Sequence, residues 1–112
     1  MNYFLSENER KASGSTCYFE FQKGKYANRH WLKDSLCLHA DLFEELSLLQ
    51  LFVASLGAFD SYAPTNIVEK AQWHKIVEAS KENEYWRLAV EELRPWAEEC
   101  FAEHTCFTIC GI

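Results

Sequence analysis

Residues Cys100–Ile112 read CFAEHTCFTICGI and hold three of the chain's five cysteines and one of its four histidines. As a metal site the ligands would be Cys100, His104, Cys106 and Cys110, spaced C-x3-H-x1-C-x3-C. Structural zinc sites instead pair their ligands tightly, as two C-x2–4-C or H-x3–5-H units. A redox pair is not supported either, because C-x-x-C is absent. The stretch reads better as the end of a helix, a turn and a core strand. Cys100 continues an apolar helical stripe with Trp96 and Phe101. Thr105–Cys110 is rich in residues that favour strands, and Cys106, Thr108 and Cys110 alternate onto one face. Free cysteine behaves there as a small buried hydrophobe. No metal and no cofactor is expected.

A chain-terminal strand needs partners, and the N-terminal third supplies candidates. TCYFEFQ alternates Cys17, Phe19 and Phe21 against Tyr18, Glu20 and Gln22, the pattern of a half-buried strand. SLCLH places Leu36 and Leu38 on one face. A short strand at Tyr3–Leu5 precedes a polar stretch with Ser13-Gly14-Ser15, expected as a mobile loop, and Lys23-Gly24-Lys25 reads as a turn.

Between the two ends the period is helical. One helix is expected from Asp41, with Asp41 as N-cap and Glu44 completing a capping box, through Leu42, Leu46, Leu49, Val53 and Leu56 to a stop at Gly57. GAFDSYAPTN, residues 57–66, is the longest loop expected in the second half. A helix over EKAQWHKIVEASK follows, with Trp73, Ile76, Val77 and Ser80 on one face. The last helix runs from about Glu82 to His104 with Tyr85, Leu88, Ala89, Leu93, Trp96, Cys100 and Phe101 as its stripe. Pro95 should kink or break it near Glu91–Arg94. Trp73, Trp86 and Trp96 on these helices are expected as packing residues, although Trp86 lies off the stripe and could be exposed. The predicted class is α+β: three main helices packed on a small sheet formed by N-terminal strands and a C-terminal strand, in a single domain of residues 1–112.

At 112 residues, 48% hydrophobic and 15% aromatic, with four glycines and two prolines, the chain can bury a core without staples. No stretch approaches the ~20 apolar residues of a membrane span, and the start, MNYFLSENERK, has no secretory pattern. A cytoplasmic location with reduced thiols is expected. The net charge of −6 is unevenly spread. Residues 1–38 carry six Lys/Arg against four Asp/Glu, and residues 39–112 carry five against thirteen. Such acidity argues against direct nucleic-acid binding and favours capture of a basic protein. Charge of this size also serves solubility alone.

No nucleophile elbow, P-loop, dinucleotide fingerprint or H-E-x-x-H is present, and adjacent carboxylates such as Glu91–Glu92 do not face each other on a helix. No enzymatic role is expected. Asp41, Glu44, Asp60, Glu69, Glu78, Glu82 and Glu84 could instead gather on one edge, with Asp60 flanked by Phe59 and Tyr62 in a loop. Acidic groups among aromatics suit a binding surface.

The second half has a phenylalanine- and leucine-rich helix, FDSY, a helix with Trp73 and Ile76, then VEELRPWAEECF and a closing FTICGI. Over residues 42–112 this order resembles small bacterial immunity proteins of contact-dependent growth inhibition and polymorphic toxin systems. Pro95 before Trp96 departs from the uninterrupted helix of that pattern. The resemblance implies a protein without its own reaction that binds a cognate toxin domain, commonly a nuclease, and blocks its active site or substrate groove. The expected toxin-binding residues are Asp41, Glu44, Asp60, Tyr62 and Glu69, with Glu78 and Glu82 as outer steering charges. The competing reading is an adaptor or structural subunit of a permanent complex, which requires an exposed apolar patch.

Overall fold

A computed structural model describes residues 3–112. In chain order the elements are β1 (Phe4–Ser6), α1 (Glu7–Ser13), β2 (Tyr18–Lys23), β3 (Leu36–His39), α2 (Ala40–Glu45), α3 (Leu48–Leu56), β4 (Asn66–Glu69), α4 (Lys70–Ser80), α5 (Glu84–Glu103) and β5 (Cys106–Cys110). The five strands form one antiparallel sheet in the order β1-β3-β2-β5-β4. The α+β class is therefore as expected, with five helices rather than three and with a strand contributed by the middle of the chain.

Alternation along the strands sorts the sheet into two faces. Phe4, Phe19, Phe21, Leu38, Phe107 and Ile109 enter the main core. There Phe107 meets Trp73 of α4 and Trp96 and Phe101 of α5. β5 is central, between β2 and β4, so all five of its residues are buried. The opposite face, with Glu20, Gln22, Cys37, Thr108 and Cys110, is also buried. This corrects the half-buried reading of TCYFEFQ. α1 and the segment between β2 and β3 lie over that face: the Arg10 guanidinium stacks 3.9 Å from the Trp31 ring centre, and Glu20 gathers donors from residues 30–35.

Further expectations are revised. The polar stretch after β1 is helical: Ser6 Oγ accepts from Glu9 N–H while Glu9 Oε1 accepts from Ser6 N–H, a complete capping box, and Gly14 ends the helix at φ 74°. The expected helix from Asp41 is two helices. His39 is the N-cap in place of Asp41, its Nδ1 accepting from Asp41 N–H, and Ser47 at φ 55° separates α2 from α3. The freed Ser47 carbonyl accepts from the indole of Trp86, which is thereby half-buried. α5 runs through Pro95 unbroken. Pro95 and Glu91 both lie on its exposed side, where a carbonyl without a helical donor stays accessible to solvent. Tyr85 and Leu88 are exposed, and the buried stripe is Ala89, Val90, Leu93, Ala97 and Cys100. Gly57, at φ 83°, ends α3 where a stop was expected.

Candidate acidic groove and a buried carboxylate cluster

The loop after α3 divides its aromatics. Phe59 joins a stack with Phe19, Phe43 and Phe52, its ring centre 6.2, 5.6 and 5.3 Å from theirs. Tyr62 remains 80% exposed. The tip is held by its own polar groups. Asp60 N–H donates to Asn66 Oδ1, Asn66 Nδ2 donates back to the Asp60 carbonyl, and Asp60 Oδ1 accepts from Tyr62 N–H. Asp60 is thus partly committed to shaping the loop. Residues 111 and 112 fasten it from the other side, with Gly111 N–H donating to the Ala63 carbonyl and Ile112 N–H to the Ser61 carbonyl.

This loop, α2 and the start of α3 enclose an open groove of about 400 Å³, lined among others by Asp41, Glu44, Leu49, Gln50, Tyr62 and Ile112. Among the described residues, its lining holds two side-chain carboxylates and no Lys, Arg or His. Beside it stands His39, whose Nδ1 lies 3.7 Å from Asp41 Oδ2. That nitrogen already accepts from Asp41 N–H, so in this tautomer it carries no proton to donate to the carboxylate. Three of the sequence-derived residues, Asp41, Glu44 and Tyr62, therefore meet, and Asp60 is bonded to the same loop. Asp60 also lines a second hollow with Asn66, Ile67 and Gln72. Glu69 sits three residues farther along edge strand β4, about 10 Å from Asn66, where its N–H donates to Gln72 Oε1. Glu78 faces a different, larger groove between α4 and α5, about 640 Å³ in volume, in which Lys70, His74 and Arg94 accompany Glu78 and Glu98. Glu78 is also paired with Lys81 at 3.0 Å. Glu82 is exposed in the turn between the helices. Among the described residues, the predicted surface is one compact acidic groove plus three outlying charges.

The cysteine-rich C-terminus does not form the metal site that its spacing suggested for testing. Cys100 Sγ donates to the Cys106 carbonyl at 3.3 Å. The ring of His104 packs over Gly24, which has φ 77° and no room for a side chain on that side. Cys110, four residues along a strand from Cys106, is about 13 Å away from it. Burial pushes all of the Cys37, Cys100, Cys106 and Cys110 thiols up, Cys37 and Cys110 to about 12 with the charge of Glu20 adding to the effect. These are protonated, weakly reactive thiols. Cys17 alone is exposed.

The feature that sequence reasoning missed is Glu20. Its side chain is 1% exposed, yet it carries four contacts. Oε1 meets Gln22 Nε2 at 3.0 Å and His30 Nδ1 at 3.3 Å. Oε2 accepts from Leu32 N–H at 2.9 Å and Ser35 Oγ at 2.7 Å. Burial pushes the carboxyl up, but the bonds from Ser35, the Trp31–Leu32 backbone and Gln22 outweigh it and hold it below its ordinary value. Cross-strand register places Glu20 directly opposite Cys110. Glu20, His30 and Cys110 present donor atoms within 4.8 Å of one another. The spacing 20, 30, 110 carries no linear signal; only strand pairing makes the group.

A scan against family models and searches of curated proteins and solved structures give no match. No helix among the described residues is long and apolar enough to cross a membrane.

Proposed function

We propose that this chain is an immunity protein that binds a basic toxin domain, a nuclease by preference, and neutralises it by covering its phosphate-binding surface. The observation that carries this reading is the groove in which Asp41, Glu44 and the exposed Tyr62 converge without a cation in the lining. A nuclease must present cations to a phosphate backbone, and an acidic, aromatic-rimmed hollow is complementary to such a surface. The order of aromatic and helical segments over residues 42–112, which resembles immunity proteins, supports the same reading. No catalysis is assigned to the chain.

The test is co-expression with the C-terminal domain of the protein encoded immediately upstream of this chain's gene. The expected result is growth arrest by that domain, relief by this protein, and loss of relief with the double substitution Asp41→Lys, Glu44→Lys. Asp60 is a poorer choice, because its carboxylate shapes the loop. Arrest that persists beside well-folded wild-type protein, or a harmless upstream domain, removes the immunity reading. Leu49 and Val53 are both exposed one turn apart on α3, which gives the adaptor reading a foothold. In that case Leu49→Ser with Val53→Ser disrupts a stable complex isolated from cells, and the charge reversals do not.

A further inference from the structure

We propose that Glu20, His30 and Cys110 bind one divalent ion of the zinc class, on the face of the sheet opposite the α4–α5 layer. This goes beyond toxin binding and does not depend on it. Two of the ligands are set by the fold: Glu20 and Cys110 are paired residues on adjacent central strands β2 and β5. The third comes from the segment that crosses over them, where His30 Nδ1 already stands 3.3 Å from Glu20 Oε1. Ligands of a tetrahedral zinc ion lie about 2.0–2.3 Å from the metal, hence about 3.5 Å from each other. The three donors need only a contraction of about 1 Å from their 4.8 Å limit. His30 Nδ1 and Glu20 Oε1 already stand 3.3 Å apart, so the contraction is toward Cys110 Sγ, and the side chain of His30, 43% exposed, is free to turn that way.

The surroundings fit a ligand set better than a chance contact. Oε2 of Glu20 is anchored by Leu32 N–H and Ser35 Oγ, and Oε1, which accepts from Gln22 Nε2, is the oxygen turned toward His30 and keeps a second lone pair for a metal. The other ring nitrogen of His30, Nε2, lies 3.4 Å from Tyr26 Oη. With Nδ1 on a metal, Nε2 carries the proton and donates it to that hydroxyl, the outer-shell bond that orients metal-binding histidines. A cavity of about 180 Å³, lined by Glu20, His30, Trp31 and Cys110, leaves the fourth position for water. Thiolate, imidazole and carboxylate together select zinc over magnesium or calcium. On binding, the Cys110 S–H bond breaks, the Zn–S bond forms, and the proton leaves to solvent. The ion would tie the segment before β3 to the C-terminal strand.

The experiment uses the full chain, stripped with chelator under reducing conditions and titrated with Zn²⁺ against a chromophoric competitor, then with Co²⁺ for its absorption spectrum. The expected result is one ion per chain, a thiolate-to-cobalt charge-transfer band, and a rise in Tm with zinc. His30→Ala, a substitution at an exposed side chain that leaves the core intact, should weaken binding by about tenfold or more, and Cys110→Ser should remove the charge-transfer band. His104→Ala should change neither. Absence of saturable zinc binding overturns the proposal. So does binding that survives both His30→Ala and Cys110→Ser, or that is lost with His104→Ala; in each case Glu20 and His30 are a fastening of the loop and nothing more.

Discussion

Replacing Glu20 by Gln keeps the shape of the side chain and removes its charge, so the consequence follows from the hydrogen bonds alone. Leu32 N–H and Ser35 Oγ would keep an oxygen to bond, but as neutral bonds worth about 0.5–1.5 kcal/mol in place of charged ones worth about 1.5–3. The new amide nitrogen would take the place of Oε1 and face Gln22 Nε2, donor against donor. Gln22 cannot turn over to relieve this, because its Oε1 accepts from Ala27 N–H at 3.0 Å and its Nε2 donates to the Arg29 carbonyl at 2.8 Å. One bond is therefore lost outright and a buried donor is left short of a partner, at a further cost of about 1–3 kcal/mol. Relief of the desolvated charge offsets part of the total. The expected net loss is about 3 kcal/mol, a large share of the roughly 5–15 kcal/mol that holds a domain together. The assay is urea unfolding at pH 7 with chelator present, followed by fluorescence, wild type against variant. Hydrogen exchange should at the same time show the Leu32 amide losing protection before the core strands do. A loss below about 1 kcal/mol with an unchanged urea slope, or an unchanged Leu32 amide, would show that the cluster does not hold residues 27–35 in place.

Ser55 is buried in α3 and its hydroxyl has no partner; Ser55→Ala should stabilise by about 1 kcal/mol, read as a higher urea midpoint, and a destabilised variant would mean that the hydroxyl is bonded in solution. A Cβ on Gly111 would fall 2.2 Å from the Ser61 carbonyl oxygen, so Gly111→Ala should break the two bonds that hold the loop around Tyr62 and cost about 2 kcal/mol; an unchanged Tm sinks that account. The Cys37 thiol is raised from its ordinary value near 9 to about 12. Between these values the folded state keeps a proton that the unfolded chain has released, so its contribution is fully present below pH 9 and is lost as pH rises toward 12. Wild type should therefore lose about 1.4 kcal/mol more per pH unit than Cys37→Ala over that window, and parallel stability curves for the two proteins would refute the assignment.

Elements whose identity rests on local pattern were legible in the sequence. The alternation Phe107 and Ile109 against Cys106, Thr108 and Cys110 placed β5, and Gly57 fixed the end of α3 because a left-handed residue is needed there. α1 was legible but unread: Ser6 and Glu9 are the S-x-x-E signature of a capping box, obscured by a helix too polar to show a core-facing stripe. The break at Ser47 was not legible, since Leu46 and Leu48 on either side continue an apolar run and both are buried. Tertiary contact, including the Trp86 indole on the Ser47 carbonyl, decides that point. Glu20 was read as the solvent side of a half-buried strand. Its burial depends on a later segment folding across β2, and its pairing with Cys110 depends on the register of a strand ninety residues away. No local pattern encodes either.

The same distinction governs how the acidic charge acts. Residues 39–112 hold the excess of carboxylates, but those carboxylates are not equivalent. Glu92 is spent inside the fold, accepting from Tyr3 and Phe4 N–H and closing the β1 edge of the sheet. Glu78 and Glu98 share their groove with Lys70 and Arg94, so that surface offers little net field. Asp41 and Glu44 have no cation in their groove and point to solvent, where each is screened beyond roughly 8–10 Å. Charges so placed do little for the strength of a formed complex and much for the rate at which a basic partner is captured. Slow dissociation must then come from desolvated apolar contact, and Tyr62 and Leu49 are the large side chains beside the two carboxylates that are free to make it. In the proposed complex, the acidic residues that drew attention in the sequence set how fast a toxin is bound, and the exposed tyrosine and leucine that share their groove set how long it is held.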